Sequence, residues 1–426
     1  MNLKDKLPLS DHQINDLFSP LVDINRMALA VSGGRDSLAL MFLINKWLKN
    51  NKFKKDIVVL TVNHQLREES NEECAEVSLI AEGYGFHHKI LIWHHGNIKT
   101  SIQEKARNAR YELMINYLKE TRIDTLITGH TLDDNIETFL MRLAKGSGLE
   151  GLKSIQTSRN LDGINLFRPL LKVTRDQTTK ILVSQNIGWI DDPTNNDEKY
   201  ERIQIRNNIS TLEKLNISKE KLQLTLNRLG RAHEVISNVT DKALREVLHF
   251  DNLGYVSLDY DILRAYPHEI IIKVFEKALI YVNGKRVSLQ SLERVCSEVI
   301  QTRKPKTING CVIYTKKNMI HITRENRDIE CFNLKVGDYH FWDNRFKICL
   351  KSFNEDFITI KNLGRSKELK YLCENTIYAN IPMYVLNTLP GGFIKDKLVL
   401  MPNIHNIYNS GYLDVKFKLQ EKNKLV

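Results

Sequence analysis

Short apolar runs alternate with amphipathic stretches through the first half of this chain, and the alternation limits the possible folds more than any other feature. Four runs predict strands, at residues 27–31, 57–62, 89–93 and 125–128. Helical spacing predicts helices at residues 36–47, 70–84, 101–118, 132–143 and 174–185. Strands that alternate with such helices form a parallel sheet, which binds ligands beyond the carboxyl ends of its strands. We therefore expect an α/β domain with a ligand site at that edge.

The pattern changes near residue 203 and again near residue 302. Between these points, long basic stretches with Leu, Ile and Val at helical spacing predict helices. After a polar run, short apolar runs at residues 312–314, 319–322, 346–350 and 357–360 predict a small α+β region. We therefore predict three domains: an α/β domain at residues 1–212, a helical domain at 213–305 and an α+β domain at 306–426.

Length and composition are typical of a globular protein with a polyanionic partner. The 426 residues exceed one ordinary core, and 42% hydrophobic with 27% charged residues suits a soluble protein. The first 17 residues lack the apolar core of a signal peptide, and the longest clean apolar run, at residues 38–44, is too short to span a bilayer. We therefore expect a cytoplasmic protein. The net charge of +11 favours phosphate-rich partners, although many basic proteins bind no nucleic acid.

Six cysteines are scattered along the chain without a C-x-x-C pair: Cys74, Cys296, Cys311, Cys331, Cys349 and Cys373. In a reducing compartment this pattern is typical of free, mostly buried thiols. It argues against a zinc site or an iron–sulfur cluster.

One loop, residues 32–37, combines the features of a phosphate-binding turn between the first predicted strand and helix. Its two adjacent glycines let the backbone approach a ligand, and the following helix directs free N–H groups at the loop. The carboxylate of Asp36 needs a cation between itself and a phosphate. A plain strand-to-helix turn is the alternative, but the flanking elements and the Asp-Ser ending favour a ligand site. We therefore predict a phosphate-binding loop made of Ser32, Gly33, Gly34, Arg35, Asp36 and Ser37.

This loop lacks the G-x-x-x-x-G-K-[ST] pattern of kinases and GTPases and resembles S-G-G-x-D-S, the pyrophosphate loop of the PP-loop ATPases. Further motifs make the first half of the chain similar to the tRNA(Ile)-lysidine synthase family. In order, they are VNHQLR (62–67), EKARNARY (104–111), GHTLDDNIET (129–138), RPLL (168–171), DDPTN (191–195) and YERIQIRN (200–207). The similarity is weaker over the last hundred residues. The family usually has His and Gln where this chain has Thr131 and Asn135, so roles tied to those side chains do not carry over.

The resemblance implies an N-terminal PP-loop domain, a helical domain and a C-terminal α+β domain. It also implies a ligase that uses ATP and Mg²⁺, with L-lysine and the CAU-anticodon isoleucine tRNA as partners. C2 of the wobble cytidine is adenylated with loss of pyrophosphate, and the lysine ε-amine then displaces AMP to form lysidine. The sequence leaves the oligomeric state open, a homodimer included.

Carboxylates of this chain are candidates for metal binding and catalysis. Asp133 and Glu137 are four residues apart on one helix face, so with Asp36 they could hold Mg²⁺ near the phosphates. The resemblance favours a metal-binding or catalytic role for Asp133, and either Asp133 or Asp36 could take a proton from lysine. Asp134 is equally well explained by stabilisation of the helix N-terminus.

Cations of the motifs are candidates for contacts with the reacting phosphates. The resemblance implies that Arg110 contacts ATP, and Arg206 is a second phosphate candidate. A solvated helix face is the alternative for Arg110 and its neighbour Arg107. His64 and Arg67 follow a strand end, where they either face the site or close a loop.

Two further motif segments have less certain roles. His130 is interpreted as a packing residue at a strand end. Asp191 and Asp192 either stabilise a turn before Pro193 or, by the resemblance, bind the lysine amines.

Basic residues outside the first domain are either solvated or contact RNA. The resemblance implies that the last domain grips the tRNA acceptor stem, with Lys361, Arg365, Lys367 and Lys370 as candidates. Arg228, Arg231 and Arg245 of the helical domain would add contacts to the RNA backbone, which position RNA without specifying it.

Three other functions remain as alternatives. A tRNA thiolase of the PP-loop superfamily needs cysteines, and none lies near residues 32–37 in the sequence. Amidotransferase relatives need a glutaminase part, for which the chain has no obvious room. A non-catalytic RNA-binding protein with a relict loop is disfavoured by the intact loop and by Asp133 and Glu137.

Overall fold

The computed structural model describes residues 7–65, 69–96, 102–190, 201–343, 345–350, 357–364, 381–400 and 413–417. The chain divides into two compact units, an N-terminal unit that ends at His233 and a C-terminal unit that begins at Glu234. Among the helices in these ranges, none combines the length and the apolar character needed to cross a membrane.

The N-terminal unit contains a six-stranded sheet in the order β3-β2-β1-β4-β6-β5. The first five strands in that order are parallel, and β5 pairs antiparallel with β6. The strands are β1 Arg26–Ala30, β2 Asp56–Asn63, β3 His87–Ile92, β4 Thr125–Thr128, β5 Ser158–Leu161 and β6 Ile164–Phe167.

Nine α-helices are described that begin in this unit, and helices cover both faces of the sheet. Successive residues of β1 point to opposite faces, so Met27 and Leu29 pack in one hydrophobic cluster and Ala28 in another. The first cluster includes Trp47 of α2, and the second includes Leu118 of α4. The helices are α1 Asp11–Phe18, α2 Arg35–Asn51, α3 Ser70–Gly83, α4 Ile102–Glu120, α5 Leu132–Ala144, α6 Leu149–Leu152, α7 Arg175–Ser184, α8 Glu201–Lys214 and α9 Lys219–Val247.

The strand order places a ligand crevice beside β1. That strand pairs with β2 on one side and with β4 on the other, so the crossovers leave in opposite directions. In open α/β sheets such a switch point forms a crevice outside the carboxyl ends of the strands. Here the loop after β1 meets the loop after β4. The two approach so closely that a Cβ on Gly129 would lie 2.7 Å from the carbonyl oxygen of Asp36.

The C-terminal unit is built from antiparallel sheets. The five-stranded sheet, in the order β7-β8-β11-β10-β9, shares one hydrophobic cluster with the two longer helices of this unit. The other sheets have the orders β12-β15-β16-β17 and β13-β14-β18. The strands are β7 Leu248–Asp251, β8 Tyr255–Asp259, β9 Lys306–Ile308, β10 Cys311–Lys316, β11 Met319–Arg324, β12 Phe332–Lys335, β13 Tyr339–Trp342, β14 Phe346–Leu350, β15 Phe357–Asn362, β16 Pro390–Ile394, β17 Lys397–Leu400 and β18 Leu413–Phe417. The helices are α10 Tyr260–Arg264, α11 His268–Asn283, α12 Leu289–Thr302 and α13 Met383–Leu386.

The predicted fold class is confirmed, and the predicted strands and helices of the first half all form. The capping box at Thr174 is present, because Thr174 Oγ1 accepts from the N–H of Gln177 and the Gln177 side chain accepts from that of Thr174. The hairpin of β5 and β6 was missed, since its strands are short and only β6 is mostly buried.

The region predicted as purely helical also contains two strands, β7 and β8. Strand β8 pairs with β11, so elements before and after residue 305 share one sheet and one core. The three-domain division at residues 212 and 305 stays a prediction, and it has to accommodate this shared core.

Candidate functional site

A cavity of about 610 Å³ lies at the carboxyl ends of the central strands of the N-terminal unit. The loop after β1, the end of β2 and the start of α5 contribute to its lining, together with side chains from α3, α4, α7 and α8. This is the sheet edge where the sequence predicts a ligand site. Five members of the predicted loop line the cavity: Ser32, Gly34, Arg35, Asp36 and Ser37.

The loop after β1 is held in a conformation that leaves its donors open to a ligand. Gly33 has a φ of 78°, and a Cβ there would lie 2.4 Å from Cδ1 of Ile190, whose N–H donates to the Gly33 carbonyl at 3.0 Å. Ser37 Oγ donates to the Gly34 carbonyl at 2.7 Å. No described side chain caps α2 at its N-cap residue Gly34. The first N–H groups of α2 are therefore available to an anion, as the positive end of a helix dipole favours.

Arg35 and Asp36 add one charge of each sign to this loop. The Nε of Arg35 is buried, has no hydrogen-bond partner among the described residues, and lies 3.6 Å from an Asp36 carboxylate oxygen. Asp36 accepts a 2.6 Å hydrogen bond from Thr178 Oγ1. Burial raises the pKa of Asp36, and the charge of Asp134 adds to the rise, while Thr178, Arg175 and Arg35 oppose it. The Arg35 Nε and the helix N–H groups fit a phosphate ligand.

Glu137 and three arginines form the centre of a charged network beside the loop. Glu137 is fully buried and accepts hydrogen bonds from Arg175 at 3.0 Å, Arg202 at 2.6 Å and Arg206 at 2.8 Å. Burial alone would raise the pKa of Glu137, but these arginines outweigh it and lower the pKa to about 2. Arg175 and Arg202 also donate to Asp134, at 3.2 and 2.9 Å.

Comparisons with known proteins decide the family. A family model described as a PP-loop domain matches residues 7–213. The tRNA(Ile)-lysidine synthase of Wolbachia pipientis wMel is 32% identical over 370 residues, which cover 84% of this chain and 86% of that protein. The tRNA(Ile)-lysidine synthase of Orientia tsutsugamushi (strain Boryong) is 33% identical over 395 residues, 89% of each chain.

The chain belongs to the tRNA(Ile)-lysidine synthase family.

One similar solved structure is the U34-tRNA thiolase NcsA from Methanococcus maripaludis with its [4Fe-4S] cluster. It is 19% identical, with a TM-score of 0.45, and the match covers 51% of this chain and 76% of that one. A likeness this low carries no conclusion about function.

The predicted magnesium set, Asp36 with Asp133 and Glu137, meets around Arg175 in the described structure, and its role in metal binding stays a prediction. Asp36 lines the cavity, whereas Asp133 and Glu137 do not. One carboxylate oxygen of Asp133 accepts from Lys219 Nζ at 2.6 Å and the other from the N–H of Arg175 at 2.7 Å. The two α5 carboxylates do share a helix face, as predicted, but cations from α7, α8 and α9 occupy that face. No group of three or more metal-binding side chains occurs within the described ranges.

Asp134 lines the cavity, whereas the family resemblance favoured Asp133 for a role at the site. Its side chain also accepts from the N–H and hydroxyl of Thr131, at 2.8 and 3.0 Å. Asp134 therefore has both proposed roles: it caps α5 and contributes a carboxylate to the cavity.

Among the cations of the family motifs, both Arg110 and Arg206 line the cavity, as does Arg107. Arg107 lies over the ring of Tyr111, 5.5 Å from its centroid. His64 also lines the cavity, with its Nε2 3.3 Å from Nη2 of Arg110. His130 lines it too, bonded to Thr128 at 2.8 Å, and burial lowers the pKa of His130 to about 4.

Several residues of the site had no predicted role. Arg202 lies in the motif at residues 200–207, whereas Arg175 and Lys219 lie in none of the family motifs. Cys74 of α3 lines the cavity, although it is distant from the loop in the sequence. The separation of 37 residues between Ser37 and Cys74 hid that proximity, which arises because α3 packs beside β2 and the loop.

Some predicted residues lie outside the described part of the chain. They are Arg67, Asp191, Asp192, Pro193, Arg365, Lys367, Lys370 and Cys373. Lys361 is described, and its Nζ pairs with Asp396 at 2.5 Å.

Proposed function

We propose that this chain uses ATP to activate C2 of the wobble cytidine in the CAU-anticodon isoleucine tRNA and then joins L-lysine to it. The products are lysidine in the tRNA, AMP and pyrophosphate, so the enzyme is a ligase that forms a carbon–nitrogen bond. One observation carries the proposal beyond family membership. The cavity combines a phosphate-binding loop, an uncapped helix N-terminus and a cluster of arginines at one sheet edge.

The loop and the arginines would hold the triphosphate for attack on its first phosphorus. The N–H groups at the start of α2 and the guanidinium of Arg35, which lines the cavity, would donate to phosphate oxygens. Arg110 and Arg206 would place positive charge where negative charge develops during transfer, which lowers the barrier itself. The network around Glu137 would keep Arg206 in place, because that carboxylate is buried and accepts from it.

Magnesium would lie between Asp36 and the phosphates. Asp36 and Asp134 both line the cavity, and burial, with the charge of Asp134 as a smaller contribution, raises the pKa of Asp36. When bound, Mg²⁺ would neutralise phosphate charge and orient the leaving group. One or two carboxylates together with phosphate oxygens suit this ion, so a third side-chain ligand is not required.

Asp36 is one predicted candidate for the base that takes a proton from lysine, provided that it does not ligate Mg²⁺ at that step, because a bound cation would lower its pKa. Asp133, the other predicted candidate, is paired with Lys219 and the Arg175 amide. The tRNA would present its wobble base unstacked, since chemistry on a base needs it out of the helix stack.

The test is a reaction with a defined product. The full chain is incubated with ATP, labelled lysine and the CAU-anticodon tRNA, and the digested RNA is searched for lysidine. The control substrate is an isoleucine tRNA with a GAU anticodon, which should remain unlabelled. Asp36→Asn should abolish labelling while tRNA binding survives, and Asp176→Asn, on the exposed side of α7, should label normally. The proposal would be refuted if the CAU-anticodon tRNA stayed unlabelled in a parallel reaction under conditions in which a control enzyme is active.

A tRNA thiolase is the alternative that one observation favours, namely Cys74 in the cavity lining. Burial raises the pKa of the Cys74 thiol, and the charge of Glu73 adds to the rise. Sulfur delivery needs a reactive thiolate, so a buried thiol of raised pKa is poorly suited to it.

A further inference from the structure

His64 is fixed where the carboxyl ends of β2 and β3 meet. Its carbonyl oxygen accepts a hydrogen bond from Nε2 of His95 at 3.0 Å. The ring of Trp93 lies edge-on to the His64 ring, with centroids 5.7 Å apart, and packs on His95 at 4.4 Å. The N–H of Trp93 donates to the carbonyl of Asn63 at 2.9 Å. These contacts hold the His64 backbone in place, and the Trp93 ring borders the His64 ring on one side.

Arg110 determines where the His64 ring carries its proton. Nη2 of Arg110 lies 3.3 Å from Nε2 of His64. A guanidinium has N–H donors and no acceptor, so Nε2 must accept and cannot be protonated. The ring is therefore neutral, with its proton on Nδ1. The electrostatic surroundings agree, because burial, with the charges of Arg110 and His95, lowers the pKa of His64 to about 4.

This tautomer leaves one donor without an acceptor. Nδ1 of His64 is buried and has no hydrogen-bond partner within the described part of the chain, although the residue lines the cavity. A buried N–H without an acceptor is unfavourable, so the contact with Arg110 maintains this tautomer against that cost.

A neutral partner also preserves the charge of Arg110. Arg175, Arg202 and Arg206 pair with carboxylates, which offset their positive charge. The described contact of Arg110 is with an uncharged ring, which restricts the guanidinium without opposing its charge. An arginine held in this way keeps its full attraction for a phosphate.

We propose that His64 is a positioning residue: its Nε2 accepts from Arg110 and holds that guanidinium towards the reacting phosphates. The inference rests on the proposed function for the identity of the phosphates. The tautomer and the contact with Arg110 do not depend on it.

Three substitutions test the acceptor. His64→Gln puts an amide near the Nε2 position and keeps an acceptor for Arg110, whereas His64→Asn puts one near Nδ1 and, like His64→Ala, leaves Arg110 without that acceptor. We expect alanine to lower kcat about 100-fold and to change the KM for ATP less than about 3-fold, as for loss of an oriented donor at a transition state. Glutamine should restore about 10-fold of that loss, and asparagine should restore none. His87→Gln, on exposed β3, is the control and should keep full activity.

The double variant His64→Ala/Arg110→Ala tests whether His64 acts through Arg110. If it does, the double variant loses less than the product of the two single losses. Fully multiplicative losses, or a glutamine variant no better than alanine at equal thermal stability, would overturn the proposal.

Nitrogen-15 NMR of the histidine rings decides the tautomer without any turnover. The wild-type chain at neutral pH should show His64, assigned by its absence in His64→Gln, protonated on Nδ1 alone. A ring protonated on Nε2, or on both nitrogens, would refute the inference. A wild-type chain that forms no lysidine yet shows the Nδ1 proton would instead refute the proposed function and leave the His64–Arg110 contact standing.

Discussion

Glu137 illustrates how one buried charge can organise a site. It has no solvent exposure and accepts from three arginines, so Glu137→Gln would leave a cluster of cations without its central counter-charge. Breaking a buried ion pair from one side costs about 3–5 kcal/mol. We expect the melting temperature of the full chain to fall by roughly 10 °C, measured by calorimetry. Asp176→Asn, which removes an exposed pair on α7, should shift it by less than about 2 °C. Equal shifts in the two variants would contradict this account.

The same carboxylate predicts a pH dependence with a defined sign. The pKa of Glu137 is lowered from 4.5 to about 2 in the folded chain. Its stabilisation is therefore fully present above about pH 4.5 and is lost as the pH falls towards 2, by roughly 3 kcal/mol in total. Urea unfolding at a series of pH values should show the wild type and Glu137→Gln converging on acidification. A gap that stays constant to about pH 3 would argue against the lowered pKa.

Cys74 is the residue that separates the proposed ligase from a thiolase. It is 4% exposed, it lines the cavity, and burial raises the pKa of its thiol. The ligase needs no thiolate, so we expect Cys74→Ala to keep lysine incorporation within about 3-fold of wild type, with Cys74→Ser tested beside it because serine buries a hydroxyl. Loss of all activity in both variants, with normal folding by circular dichroism, would favour sulfur chemistry.

At the level of elements, local signals predicted the sheet and its loop, but they did not predict which charges meet there. Strand and helix periods, and the paired glycines at Gly33 and Gly34, are properties of neighbouring residues. The partners of the α5 carboxylates are not, because Arg175 lies 38 residues from Glu137 and Lys219 lies 86 residues from Asp133. The spacing of four residues therefore predicted that Asp133 and Glu137 share a helix face, but it could not show that cations occupy that face.

The turn between β1 and α2 makes an element-scale prediction. Gly33 has a positive φ, and a Cβ there would meet the Ile190 side chain at 2.4 Å. Gly33→Ala therefore has to strain the backbone and displace Ile190, at a cost of about 1–3 kcal/mol. We expect the KM for ATP to rise at least about 10-fold, measured in steady-state assays. Gly83→Ala is the matched control, since a Cβ in that turn of α3 meets nothing within 4 Å. A Gly33→Ala variant with unchanged ATP dependence would exclude this loop from the nucleotide site.

At the scale of the whole molecule, the net charge of +11 predicts that salt weakens binding of the proposed RNA partner more than binding of ATP. Each phosphate contact releases counterions, so four contacts would weaken tRNA binding by roughly 100-fold between about 50 and 200 mM salt. ATP would instead be held in the cavity by a few direct donors, so its KM should change much less. Filter binding of the tRNA and steady-state kinetics for ATP, over one salt series, check this. The Asp36→Asn variant should show the same salt slope for tRNA as wild type, because Asp36 lines the cavity and its replacement removes no cation. If tRNA binding did not depend on salt, the Lys and Arg side chains of this chain would not be the groups that contact the RNA phosphates.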